Sequence, residues 1–260
     1  MAVTYSSYLK LDELLDLQSP LSDGPEHDEM LFIVIHQVYE LWFKEILHEI
    51  DHLKELLAQD DVPRALHTLK RILTILKVVV AQIDVLETMT PLEFLSFRER
   101  LESGSGFQSF QFREVEFVLG HKQPAALGRY AEGSAHRARL ERRLAEPTLW
   151  DAFLHFLAGR GHHVPAAELA RDVRAPVALV PELHPVLIDA YRNDPLVNSL
   201  CERLVDLDEG LQEWRYRHVK MVQRTIGERR GTGGSEGAAY LMTTLNRPLF
   251  PDLWAIRGEL

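Results

Sequence analysis

Apolar residues recur at steps of three and four along most of the chain, and convincing period-two runs are absent, so the pattern predicts helices and no strands. A first long helix is expected over about residues 28–58. Asp60, Asp61 and Pro63 punctuate it, and a second is expected over about 63–89. Thr90, Pro91 and Glu93 then make a helix start. The threonine can cap, the proline suits the first helical position, and the glutamate closes a capping box. The short helix they open runs to about residue 101, and residues 102–106 (ESGSG) read as a loop. A helix over 107–119 follows, stopped by Gly120. Between 124 and 195, shorter helices are broken by Pro147, Pro165, Pro176, Pro181 and Pro185. The last long helix covers 195–226 and stops at Gly227; a glycine-rich stretch and a short helix come after it. With no internal repeat and no clear linker, the expectation is one all-α helical-bundle domain over residues 1–260.

The faces of the two long helices separate their histidines. On the first, Phe32, His36, Tyr39, Phe43, Ile46, Ile50, Leu53 and Leu57 form one apolar stripe, so His36 points inward. The opposite stripe, Leu41, Glu45, His48, His52, Glu55 and Gln59, is almost wholly polar. His48 and His52 belong to HEIDH, which fits the H-E-x-x-H spacing of a zinc hydrolase. A catalytic zinc site needs a cleft and a third protein ligand, whereas these two histidines lie on the face expected in water. The last long helix repeats the inward pattern with Leu204, Leu207, Leu211, Trp214, His218, Met221 and Thr225, while Arg215, Arg217, Lys220 and Arg224 point elsewhere. A lone histidine on an apolar face is usually a hydrogen-bonded core residue. Two of them, on the two longest helices, also match the way bundles build cofactor sites from facing helices, including haem sites with one histidine on iron and a second across the pocket.

Composition narrows the class. The 46% hydrophobic and 26% charged residues suit a globular chain with a substantial core, and the net charge of −10 argues against a nucleic-acid or anionic-membrane partner. One cysteine, Cys201, excludes an internal disulfide or a Cys-rich metal site. The first residues lack the features of a secretory signal and the densest apolar run, Val78 to Ala81, is far too short to span a bilayer, so a cytoplasmic protein is the expectation.

Two further features stand out. Arg98 lies four residues after Phe94 in FLSFRERL, on a face surrounded by apolar side chains. It is either a snorkelling arginine or a bidentate clamp on a carboxylate. GTGGSEG, residues 231–237, is neither a P-loop nor a dinucleotide fingerprint, since no Lys follows it and Glu236 stands where the third glycine should be. It reads as a linker or as a loop that closes over a ligand, with Thr232 at its centre.

Taken together, TYSSYLKLDELL, DEMLFIVIHQVYELWFKEILHEID, TPLEFLSFRERL, SGSGFQSFQFREVEF, LCERLVDLDEGLQEWRYRHVKMVQRTIG and RGTGGSEGAAYL resemble the tryptophan 2,3-dioxygenases, in order and over most of the chain. The resemblance implies an all-helical enzyme that carries haem b and uses O2 to open the indole C2–C3 bond of L-tryptophan. The product would be N-formyl-L-kynurenine, the first step of tryptophan catabolism by the kynurenine pathway. It also implies a homotetramer, a dimer of dimers. In that family His218 would match the axial ligand of the haem iron, and His36 the histidine that meets the indole N–H. Phe32 would pack on the indole, Arg98 would clamp the substrate carboxylate, and Thr232, in a mobile loop over 228–238, would contact the amino-acid end. Ser105 and Gly106 would form the turn near haem and O2, and Tyr5, Tyr8 and Leu9, in an arm over 1–20, would reach a neighbouring subunit's pocket. The sequence departs from the family's usual pattern at Ile35 and Glu236. These departures leave a second reading, a haem monooxygenase that converts a modified tryptophan to an oxindole. A haem-binding scaffold without turnover is a third.

Overall fold

In the computed structural model, residues 2–24, 26–229 and 238–260 are described, and among them no strand occurs. Two short helices, α1 (Tyr5–Leu9) and α2 (Leu11–Leu15), precede the long α3 (Asp28–Ala58), which turns through Gln59–Asp61 into α4 (Val62–Leu86). The Asp61 side chain accepts from the backbone N–H of Arg64 and so caps α4. Tyr39 donates to the Val79 carbonyl, Gln82 to the Ile35 carbonyl and Arg71 to Glu49, so α3 and α4 pair antiparallel. The second helix ends a turn before its expected limit because Glu87–Met89 turn towards Thr90. There the expected capping box forms and opens α5 (Pro91–Arg98).

The helix expected over 107–119 is split. Ser105 caps a single 3-10 turn (Gly106–Gln108), and Ser109 restarts the chain as α6 (Phe110–Val118), its hydroxyl accepting from Phe112 N–H at 3.1 Å. Two cap-forming serines four residues apart make two starts more favourable than one continuous helix. Gly120 ends the segment at φ +106°, where a side chain would be strained and would also meet Val177.

Further on come α7 (Ala135–Ala145), α8 (Leu149–Gly159), α9 (Ala166–Leu169) and α10 (His184–Asn193). Then follow α11 (Pro195–Ile226), α12 (Ala238–Met242) and α13 (Pro251–Ala255). Pro185 sits in the first turn of α10 and so opens a helix rather than breaking one, and Pro195 opens α11 as expected. Gly210 faces Leu76, and Arg217 reaches Asp84 and Glu87, so α11 runs parallel to α4.

The largest buried cluster joins α3, α4, α8, α10, α11 and the C-terminal segment. Ile50, Leu53, Ala65 and Ile72 are completely inaccessible. Each buried Leu or Ile contributes about 1.5–3 kcal/mol. The fully buried Asp208 fastens the C-terminal segment to α11 by accepting from Leu249 N–H, Phe250 N–H and Trp254 Nε1 at 2.8–3.1 Å. Among the described residues, no helix is long and apolar enough to cross a membrane.

Candidate active site

The inward stripes of α3 and α11 face each other across a cavity, closed by the end of α4, by α5, by the 104–109 loop and by α6. Phe32, His36, Arg98, Ser105, Gly106 and His218 all line it. Thus two histidines from one pair of helices and an arginine from a third element share one space, although 182 residues separate His36 from His218 (218 − 36).

His36 is oriented by its own helix. Its Nδ1 lies 2.7 Å from the Phe32 carbonyl, which can only accept, so Nδ1 carries the hydrogen and Nε2 is left as an acceptor. Burial lowers its pKa, against the opposing pull of the Phe32 carbonyl and Glu40. The ring lies 4.1 Å from that of Phe32, and Phe94 and Phe97 also pack against Phe32, one tilted and one edge-on, giving an aromatic cluster.

His218 differs from a hydrogen-bonded core histidine. Burial first, then the proximity of His36, pushes its pKa down to about 4, and among the described residues no hydrogen bond reaches its ring. It is a neutral imidazole at physiological pH. Its ring lies parallel to that of Trp214, 5.1 Å away and within 4°. A neutral imidazole with a free nitrogen facing an apolar cavity is a suitable metal donor. Arg98 ends α5 four residues after Phe94; it is half-buried, and both residues line the cavity. At Gly106 a Cβ would meet nothing within 4 Å, so the backbone there can lie close to a flat ligand.

Other expected site residues fall elsewhere. Tyr5, Tyr8 and Leu9 lie on α1, are 74%, 77% and 42% exposed, and do not line this chain's own cavity. Thr232 and Glu236 lie outside the described residues, as does most of the 228–238 loop. Ile35 is buried in the core and does not line the cavity, so its departure from the family pattern does not alter the wall. In HEIDH, His48 is exposed and His52 pairs with Glu55 at 3.6 Å. Among the described residues no group of three or more His, Cys, Asp or Glu could hold a metal ion, so the motif has no third ligand there.

One polar cluster escaped the sequence pattern. Arg215, expected to point away from the inward stripe, is only 5% exposed and lies in the cavity wall. It donates to Glu116 at 2.7 Å, to the Thr244 carbonyl at 3.1 Å and to His121 Nδ1 at 3.0 Å. Arg113 also pairs with Glu116. Burial first, then Arg215, lowers the His121 pKa, and its Nε2–H is left to donate to the Pro248 carbonyl. The available signal was the density of charge in FREVEF, a segment otherwise made of buried aromatic and aliphatic residues.

The model of the family described as tryptophan 2,3-dioxygenase matches residues 1–173 and 178–260. A protein named tryptophan 2,3-dioxygenase from Herpetosiphon aurantiacus is 62% identical, over 100% of this chain and 99% of its own length. Proteins of the same name from Anaeromyxobacter sp. (strain K) and Caulobacter vibrioides are 56% and 46% identical, over 100% and 99% of this chain and 97% and 98% of their own lengths. Nothing in these comparisons supports the single-oxygen alternative. With matches that run from end to end and a cavity that unites the expected histidines with Arg98, the chain belongs to the tryptophan 2,3-dioxygenase family.

Proposed function

We propose that the protein is a haem-dependent dioxygenase that uses O2 to open the indole C2–C3 bond of L-tryptophan, giving N-formyl-L-kynurenine. The observation that carries this reading is the pair of neutral histidines, His36 and His218, on facing helices of one cavity that also contains Arg98. The residues fit haem b. His218 offers a neutral nitrogen donor, the walls are largely aromatic and aliphatic, and Gly106 leaves room for a flat group beside the backbone. His218 would hold the iron, with Ser105 and Gly106 against the macrocycle. When bound, the haem supplies the redox chemistry that activates O2.

The protein's own contribution is positioning. Arg98 pairs with the substrate carboxylate, and its planar fork fixes direction as well as charge. His36 is neutral and presents Nε2 as an acceptor to the indole N–H. Phe32 supplies the face on which the indole ring packs. Thr232 contacts the amino-acid end, and its loop keeps water from the reacting centre. The exposed, apolar side chains of Tyr5, Tyr8 and Leu9 suit an arm that docks at a neighbouring subunit of a homotetramer. We place the enzyme in the cytoplasm and treat residues 1–260 as one functional unit. The test is to mix the reduced, haem-loaded protein with L-tryptophan and air. The absorbance of N-formylkynurenine should appear. A haem-replete protein that converts a substituted tryptophan but leaves tryptophan untouched overturns the proposal.

A further inference from the structure

The first turn of α3 has an unusual anchor. No side chain caps the helix at His27, yet Glu29, in that turn, is only 2% exposed and is not among the cavity-lining residues. A buried carboxylate is costly unless its oxygens are filled. Here they are filled by an upstream stretch of the same chain. Leu21 N–H donates to Oε1 at 2.7 Å, Ser22 N–H donates to Oε2 at 3.0 Å, and the Ser22 hydroxyl also donates to Oε2. Two turns further along α3, Gln37 donates to the Leu17 carbonyl at 3.1 Å and accepts from Gln18 at 2.6 Å. Residues 17 and 18 therefore meet position 37 while 21 and 22 meet position 29, so this stretch runs antiparallel to α3. It spans the two turns from which Phe32 and His36 project. Glu29, Phe32 and His36 are spaced i, i+3, i+7 and share one stripe of the helix. At its far end Asp23 pairs with Arg100 at 3.6 Å, two residues beyond Arg98. The strap thus extends from the wall carrying the histidine towards the wall carrying the arginine, where this exposed pair adds little.

We infer that Glu29 is a positioning residue for the substrate site: it fastens the strap of residues 17–23 and thereby fixes the turns of α3 that present Phe32 and His36. The role in substrate binding rests on the tryptophan reading above, whereas the strap itself does not.

The test uses the full-length, haem-loaded enzyme with Glu29→Gln. A glutamine keeps the shape but turns one acceptor oxygen into an amide that cannot accept from Ser22. Loss of a buried hydrogen bond of this kind corresponds to roughly a tenfold effect, so amide exchange at Leu21 and Ser22 should quicken about that much. KM for tryptophan should rise roughly fivefold or more with kcat and haem content held, the signature of binding lost equally in the ground and transition states when the Phe32 and His36 wall loosens. Ser22→Ala, which removes only the hydroxyl, should move both readouts less and in the same direction, and it carries the test if Glu29→Gln fails to fold. Unchanged exchange at Leu21 and Ser22 overturns the strap. Faster exchange with unchanged KM overturns the positioning role. Failure of the wild-type protein to turn over tryptophan overturns the functional reading instead, and the exchange rates then judge the strap alone.

Discussion

At the residue scale the proposed function rests on three side chains, His36, His218 and Arg98, that line one cavity. His218 is held neutral by burial, stacks on Trp214 and, among the described residues, has no hydrogen bond to stabilise its cation, which suits a ligand better than a structural histidine. His218→Ala should therefore leave a folded protein that purifies without a Soret band; a variant with wild-type haem content contradicts the assignment. Arg98→Ala should reduce kcat/KM for tryptophan by about 2–5 kcal/mol of transition-state stabilisation if the carboxylate pair is shielded from water. The control is tryptamine, which lacks the carboxylate. It should lose little or nothing, and an equal loss on both substrates would assign Arg98 a structural role. These three residues were legible in the sequence because each sits on an apolar stripe where a polar group is conspicuous. The Arg215–Glu116–His121 cluster was not. It unites α11, α6 and the residues after it, and the periodicity of one helix does not reveal which charges on another will meet it.

At the scale of elements, local chemistry placed the helix ends well. Two long helices match their expected bounds: Asp28–Ala58 follows its apolar periodicity without a side-chain cap, and Pro195–Ile226 stops at Gly227, φ +62°. Thr90 is the cap with the most direct consequence for the site, because the helix it opens is only eight residues long and ends on Arg98. Thr90→Ala removes the hydroxyl that accepts from Glu93 N–H, leaves the Thr90 N–H to Glu93 half of the capping box in place, and should cost about 1 kcal/mol in chemical denaturation. Its KM for tryptophan should rise as well, since Arg98 is carried by the frayed element. An unchanged midpoint of unfolding would mean that tertiary contacts alone hold α5. The expected 107–119 helix failed for the opposite reason. Its apolar spacing suggested continuity, but Ser105 and Ser109 each satisfy a separate helix start, and cap chemistry overrode periodicity.

At the scale of the whole molecule, burial of charge shapes how stability responds to pH. Lys122 is 2% exposed and donates to the carbonyls of Arg143, Leu144 and Glu146 at 2.7–2.9 Å, which ties the end of α7 to the segment after α6. Burial pushes its pKa from the ordinary 10.5 down to about 8, with Lys54 and Arg171 adding repulsion. Between these two values the unfolded chain binds a proton that the folded chain does not, so stability from this group rises with pH. The melting temperature of wild type relative to Lys122→Met should accordingly increase from pH 7 to pH 10. A difference that is flat or falls over that range contradicts the assignment. The helical class and the burial of both inward stripes were readable from the sequence. What joins the parts was not. The Asp208 clasp on the C-terminal segment and the strap held by Glu29 are long-range hydrogen bonds, and no local pattern encodes their partners.

The central claim is that this cavity directs both atoms of O2 into L-tryptophan. The most direct test is the product mass after a single turnover of the reduced, haem-loaded protein with L-tryptophan under oxygen-18 gas. The account predicts N-formylkynurenine carrying two heavy oxygen atoms, once exchange of the formyl and ketone oxygens with water is corrected for. A product with one heavy oxygen and an intact indole-derived ring would contradict it.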